Sequence, residues 1–541
     1  MTFVLKHPLL GSVTGVTTNK DVVQYLGIPY ATLAHWLAAP QVKSNYGEAI
    51  DATKFGPTVL APPLGCDIEF GLIQQSLEKP GAVPSMSDLE GLNLNITVPT
   101  ALPGNLKDLP VLVFVHGGGF LFGGNWAPHY DLARIVSFSA SIEKPIIGVS
   151  IKPNNDADSS SYRLGAPGFL DSKELGAAGS PPNRGLLDQQ AAFQWLSNNI
   201  AGFGGDPKQL TAFGQSAGGS SVMHLLDLDS PEPMFQRAAC LSGNKIAAAL
   251  VPASVAQGAY ATVLQALEID SSLSAEDQVS SLIARPGEEV LSKVPMNVPL
   301  GPVVDDAALP CFGTMKSGYK FKLNVPLMIG STSFDGGIYE VLGIFANADQ
   351  ESLVSDFAST FIRAVPVPQR ENAEKLLGLY GLSSSNGLDS ETARIKILQF
   401  GTDVKYFTSA SAYAASWPAE SWLYYFKEPN PWDGPHKGRA THVQDVAYVF
   451  LNYEHVMDDQ QKKVAHGFAK DVIHFAYGES PWSEFRASRE MRVYGESGRN
   501  EPVVNTLTGD TAGPSAEVRA LWDEIGLDQM SKAWDAYFLR K

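Results

Sequence analysis

The chain is predicted to be an α/β protein: one unit spanning residues 1–541, with a large central, mostly parallel sheet flanked by helices. Two observations carry the prediction. Continuous apolar runs such as Leu109-Pro110-Val111-Leu112-Val113-Phe114-Val115 and Pro145-Ile146-Ile147-Gly148-Val149-Ser150-Ile151 have the pattern of strands covered on both faces, which is how parallel sheets are built. After these runs comes an amphipathic stretch, Asn183 to Gly202, with Leu186, Phe193, Leu196 and Ile200 at helical spacing, so strands and helices alternate.

Taken in order, Gly27-Ile28-Pro29-Tyr30-Ala31 follows a strand-like segment, and Leu92, Leu94, Ile96 and Val98 alternate as in a half-buried strand. Residues 57 to 90 hold prolines and glycines without sustained periodicity and read as an excursion over the body, placed to shape an entrance. Beyond residue 250, helices and loops lead to a buried strand at Val325-Pro326-Leu327-Met328-Ile329-Gly330 and another at Trp422-Leu423-Tyr424-Tyr425-Phe426. A helix with Val464, Phe468, Val472 and Phe475 on one face packs back onto the sheet.

Composition bounds the function. With 44% hydrophobic and 18% charged residues the chain is ordinary for a globular protein with a large core. A formal charge of −17 disfavours nucleic acid and anionic membrane as partners, and no apolar run approaches the length of a membrane span. The first residues lack a charged segment followed by an apolar one, so a cytoplasmic location is expected. Three cysteines, Cys66, Cys240 and Cys311, are too few and too scattered for a disulfide framework and read as buried small hydrophobes.

The chemistry concentrates at Leu210-Thr211-Ala212-Phe213-Gly214-Gln215-Ser216-Ala217-Gly218-Gly219, a strand running through Gly-x-Ser-x-Gly into small residues that open a helix. A serine on so sharp a turn stands exposed, and its neighbours two residues away on each side must be small; Gly214 and Gly218 meet that requirement. The alternative is a plain glycine-rich turn. Serine is a weak nucleophile until a base takes its proton, and the base needs a carboxylate to hold its tautomer. In the α/β-hydrolase order the acid and then the histidine follow the serine, as Asp335 and His442 do, each after a predicted strand. His116-Gly117-Gly118-Gly119-Phe120 ends another strand, and its glycines can turn backbone N–H groups toward one point, as an oxyanion hole requires.

The chain resembles the type-B carboxylesterase family, whose members include cholinesterases, fungal lipases and the non-enzymatic neuroligins, and it is closest in character to the fungal intracellular members. Besides the glycine loop and the serine turn, the stretches that carry the likeness are Gly27 to Ala31, Tyr162-Arg163-Leu164-Gly165, Asn183-Arg184-Gly185-Leu186-Leu187-Asp188-Gln189 and Phe203-Gly204-Gly205-Asp206-Pro207. The resemblance implies Ser216 as nucleophile, His442 as base, Asp335 as acid, Gly118, Gly119 and Ala217 as oxyanion donors, and Ser242 as a serine beside the acid. It implies no metal and no organic cofactor. Asp335 stands where the family usually has Glu, so its loop must come closer to His442; Asp305, Asp306 and Glu340 are the other acids considered. His436, flanked by Pro435, Lys437 and Arg439, reads as an exposed side chain.

Other departures bear on the substrate. A cholinesterase carries Glu before its nucleophile and a Trp in the excursion loop, whereas this chain has Gln215 and no Trp between Cys66 and Gly91, which argues against a choline site. Gly91 replaces the family's partner for Cys66, so the family's loop disulfide cannot form, and Lys152 to Ser161 is an extra polar segment. Phe120, Phe122 and Trp126 beside the oxyanion loop, with Gln215, are the expected pocket lining. The expected activity is hydrolysis of small-molecule carboxylic esters through an acyl-serine; a lipase or amidase with the same chemistry, and a non-catalytic neuroligin-like binding protein, are the alternatives.

Overall fold

The computed structural model describes residues 1–539 except 19–20, 48, 63, 80–84, 101–106, 124–126, 152–161, 229, 231–232, 306–308, 310–323, 347, 384–386, 496–502 and 507–512. Trp126, Cys311, Asp306 and the Lys152 to Ser161 segment lie outside the described residues. A 13-stranded sheet runs through the molecule. Its strands are β1 (Thr2–His7), β2 (Gly11–Thr17), β3 (Val22–Pro29), β4 (Asn93–Pro99), β5 (Leu109–Val115), β6 (Ile147–Ser150), β7 (Gly205–Gln215), β8 (Arg237–Leu241), β9 (Leu327–Thr332), β10 (Ser421–Phe426), β11 (Glu490–Tyr494) and β12 (Val503–Thr506). They lie in the order β1-β2-β3-β4-β6-β5-β7-β8-β9-β10-β11-β12, and the short strand Ala49–Asp51 pairs with β2.

Pairing is parallel from β6 through β5, β7, β8, β9 and β10 to β11, and antiparallel at both flanks, so "mostly parallel" describes the centre of a mixed sheet. Every residue of β5, β8's last four, β9 and β10 is buried, as the unbroken apolar runs require of strands covered on both faces. The helix Arg184–Asn199 buries Leu186, Phe193 and Leu196, and Asp459–Ala476 buries Val464, Phe468, Val472 and Phe475.

β4 departs from its expected half-burial. Its polar residues Asn93, Asn95 and Thr97 are as buried as its apolar ones, because β3 and β6 flank it and the helix Ala133–Ser141 packs on it. Each amide has a backbone partner outside the strand: Asn95 Oδ1 accepts from Gly27 N–H at 2.8 Å, and Asn93 Nδ2 donates to the Pro57 carbonyl at 2.7 Å. The Arg163 of Tyr162-Arg163-Leu164-Gly165 is a buried clamp. Its guanidinium donates to both Asp188 oxygens (2.9 and 2.7 Å) and to the carbonyls of Trp36 and Ala38, tying the N-terminal region to the helix Arg184–Asn199.

Candidate active site

Ser216 follows β7 directly and precedes the helix Ala217–Leu225, at φ 53° and ψ −124°, a region costly for a residue with a Cβ. Neighbouring strands hold the turn, since Ser216 N–H donates to the Leu241 carbonyl of β8 at 2.8 Å. The need for small neighbours is geometric: a Cβ on Gly218 would lie 2.1 Å from the Val115 carbonyl oxygen, and one on Gly214 would lie 2.3 Å from the Gly218 oxygen. The outcome is a serine side chain held at the carboxyl edge of the sheet.

Asp335 lies three residues past the end of β9, and His442 lies in the loop after β10. The shorter acid reaches its histidine because the two loops are stitched together by backbone hydrogen bonds: Ser333 N–H donates to Phe426 O (2.8 Å) and Phe334 N–H to Ala440 O (2.9 Å). Asp335 Oδ1 is 2.6 Å from His442 Nδ1, and His442 Nε2 is 2.9 Å from Ser216 Oγ. The other carboxylate oxygen accepts from Thr332 N–H at 2.8 Å and from Ser242 Oγ at 3.1 Å. With an acceptor carboxylate on Nδ1, the neutral ring carries its proton there and leaves Nε2 free to accept from serine.

His116 follows β5, and burial pushes its imidazole down to about 4, so the ring stays neutral and its Nδ1 pairs with the Gly117 carbonyl at 2.8 Å. Gly118 takes φ +96°, and a Cβ there would lie 1.8 Å from the Phe122 oxygen, so only glycine permits this turn. Among the described residues, none accepts a hydrogen bond from the N–H of Gly118, Gly119 or Ala217. All three residues line one cavity of about 180 Å³ together with Ser216 and His442. Backbone strain gathers round it: Phe120, Ser242 and the β-branched Val443 also have positive φ, at 63°, 45° and 71°.

The carboxylesterase family model matches residues 4–511 of this chain. The chain belongs to the carboxylesterase family. It is 29% identical to the para-nitrobenzyl esterase of Bacillus subtilis, an alignment covering 96% of this chain and 98% of the relative. It is 26% identical to lipase 3 of Yarrowia lipolytica, over 92% and 93%. A solved structure titled PNB esterase superposes with a TM-score of 0.71 at 26% identity, covering 96% and 99%. This carboxylesterase is a carboxylic ester hydrolase with the α/β-hydrolase fold.

Within the carboxylesterase, Ser216, Asp335, His442 and Ser242 form one hydrogen-bonded row, and Gly118, Gly119 and Ala217 face the same cavity. Gln215 is buried in the cavity wall with Nε2 at 3.3 Å from His442 Nε2. Phe122 lines the cavity, whereas Phe120 does not: its ring turns away onto Phe169, edge-on at 5.1 Å. His436 is buried, contrary to its expected exposure, because its backbone N–H is held by Gln74 Oε1 at 2.7 Å and its ring packs on Phe334. Its Nε2 is 3.3 Å from Glu340, so neither residue reaches Ser216's row.

The lining residues that sequence reasoning missed include Glu69, Tyr339, Tyr406 and Phe538. Glu69 is buried, with one oxygen accepting from Tyr130 OH and the other beside His129 Nε2, both at 2.8 Å. Tyr406 sits in a π-helical turn, Asp403–Phe407, with its ring 5.5 Å from that of His442. Strand and turn patterns give no signal for residues so distant in the chain.

Proposed function

We propose that this carboxylesterase cleaves esters of small alcohols and short acids through a covalent acyl-serine on Ser216. The observation that carries the reading is the continuous row Asp335–His442–Ser216, at 2.6 and 2.9 Å, opening on a cavity where the N–H groups of Gly118, Gly119 and Ala217 have no acceptor among the described residues. Ser216 Oγ attacks the ester carbonyl as His442 Nε2 takes its proton, and Asp335 stabilises the imidazolium. The carbonyl oxygen becomes an oxyanion within reach of the N–H groups of Gly118, Gly119 and Ala217, which favour the charged transition state over the ground state. His442 then gives the proton to the departing alcohol. Water, activated by the same ring, attacks the acyl-serine and frees the acid and Ser216 Oγ.

The modest cavity, with Leu72, Phe122, Ile338 and Leu342 in its wall, favours small esters over long acylglycerols. A nucleophile and base at hydrogen-bond distance favour catalysis over a neuroligin-like binding role. One sheet takes in strands from Thr2–His7 at one edge to Val503–Thr506 at the other, which supports reading residues 1–541 as one domain. Cys66 and Cys240 are buried, and at Gly91 a Cβ would lie 2.4 Å from Val59 N, leaving no room for a bridging cysteine; a reducing, cytoplasmic setting accords with both.

Fluorophosphonate labelling followed by peptide mapping tests the roles. Wild type is expected to label on the peptide containing Ser216, and Ser216→Ala and His442→Ala not to label; label on any other residue overturns the assignment. Initial rates on p-nitrophenyl esters of rising acyl length, beside a triacylglycerol emulsion, test the substrate. Falling rates with length and no gain at the emulsion interface are expected, and a long-chain optimum overturns the small-ester reading.

A further inference from the structure

The family match ends at residue 511, yet the wall of the cavity continues beyond it. The helix Leu527–Phe538 delivers Phe538 to the lining, half-buried, with its ring edge-on to Tyr339 at 5.1 Å. Tyr339 lies four residues past Asp335 and meets Tyr406 at 6.2 Å, and Tyr406 meets His442 at 5.5 Å. An aromatic chain thus runs from the histidine out to the C-terminal helix.

That helix is fastened to the elements that carry the site. Trp534, fully buried, packs edge-on to Tyr339 at 4.9 Å and fills the space over Gly401, where a Cβ would meet its ring at 2.4 Å. Lys405 Nζ, next to Tyr406, donates to Asp535 at 2.9 and 3.1 Å and to Ser531 Oγ at 2.9 Å. Gly336 N–H, beside Asp335, donates to Thr402 Oγ1 at 2.7 Å. Acid loop, π-helical turn and C-terminal helix are therefore joined by hydrogen bonds and ring packing.

We propose that Phe538, with Tyr339 and Tyr406, forms the wall against which the leaving alcohol sits, so that the C-terminal helix sets which alcohols this esterase releases. The inference rests on His442 being the base. An alkoxide that takes its proton from His442 Nε2 must leave on the histidine side of Ser216, and the aromatic chain starts there. Flat or short alcohols slide along ring faces; branched ones collide with Phe538.

The test is Phe538→Ala beside Phe538→Leu and wild type, using acetate esters of ethanol, benzyl alcohol and a tertiary alcohol, with a p-nitrophenyl series of rising acyl length as the second axis. Active sites are titrated by fluorophosphonate, so a fall in folded enzyme is divided out, and Phe538→Leu replaces the alanine variant if that does not fold. Phe538→Ala is expected to raise kcat/KM for the tertiary relative to the ethyl ester by about tenfold, as for other changes of a few carbons in an apolar pocket, with a smaller rise in Phe538→Leu and an unchanged acyl series. An unchanged alcohol ratio, or a shift in acyl preference instead, overturns the proposal. A titratable, active Ser216→Ala enzyme would instead overturn the mechanism on which it rests.

Discussion

Asp335→Asn changes one atom in the buried row, and the structure says which way the new amide turns. Asp335 Oδ2 receives two donors: the Thr332 backbone N–H at 2.8 Å, which cannot reorient, and the Ser242 hydroxyl at 3.1 Å, which can rotate to accept. An asparagine NH₂ placed there would face the Thr332 N–H and leave a buried donor unpaired, at about 1–3 kcal/mol. The amide oxygen therefore stays on Thr332 and the NH₂ turns to His442 Nδ1, which must then accept. The ring proton moves to Nε2, where it faces Ser216 Oγ and cannot take the serine's proton. A wrong tautomer of this kind lowers turnover by about ten-thousandfold, or about 5.5 kcal/mol in the barrier. The assay is kcat on a p-nitrophenyl ester, normalised to folded protein by circular dichroism, with the rate of fluorophosphonate labelling in parallel. Both rates should fall together in a folded enzyme; turnover within tenfold of wild type would refute the reasoning and place the acid elsewhere.

His442→Ala should abolish turnover and labelling, whereas His436→Ala, which loses only its contacts with Glu340 and Phe334, should keep both; the reverse pattern would exchange their roles. Gly218→Ala drives a Cβ to 2.1 Å from the Val115 oxygen, so thermal melting should show a loss above about 3 kcal/mol or no soluble protein, and a melting point like wild type would contradict the elbow geometry. Arg163→Met strands the Asp188 carboxylate without its two guanidinium donors, and chemical denaturation should report a loss of about 3–5 kcal/mol. Burial pushes Asp403 from the ordinary 3.8 up to about 7, with only Tyr380 and Gln399 hydrogen bonds opposing it. The native state therefore holds a proton the unfolded chain has lost, and this group makes stability fall as pH rises from about 4 to about 7. Asp403→Asn should be more stabilising at pH 8 than at pH 5; equal effects at both would show the carboxyl ionising normally.

What the sequence revealed and what it hid divide along local and non-local determinants. Ser216 was legible because the strained turn demands Gly214 and Gly218 within two residues, and the apolar runs of β5, β9 and β10 marked strands whose ends carry the site. Asn93, Asn95 and Thr97 misled because alternation reports chemistry and not coverage: their side chains meet Pro57, Gly27 and Gln24, far away in sequence. His436 misled likewise, since Gln74, 362 residues earlier, pulls its backbone inward despite charged neighbours. Phe120 illustrates a finer limit: a residue beside a functional loop points where its φ of 63° sends it, toward Phe169 and away from the cavity. Phe538, Tyr339 and Tyr406 meet only through tertiary packing and leave no local pattern.

The central claim is that catalysis passes through a covalent ester on Ser216, and trapping that ester is its most direct test. Wild-type enzyme mixed with excess p-nitrophenyl acetate, quenched in acid during turnover and digested, should carry one acetyl group on the peptide containing Ser216, and Ser216→Ala should carry none. An acetyl group on another residue, or full turnover with no covalent adduct at all, would contradict it.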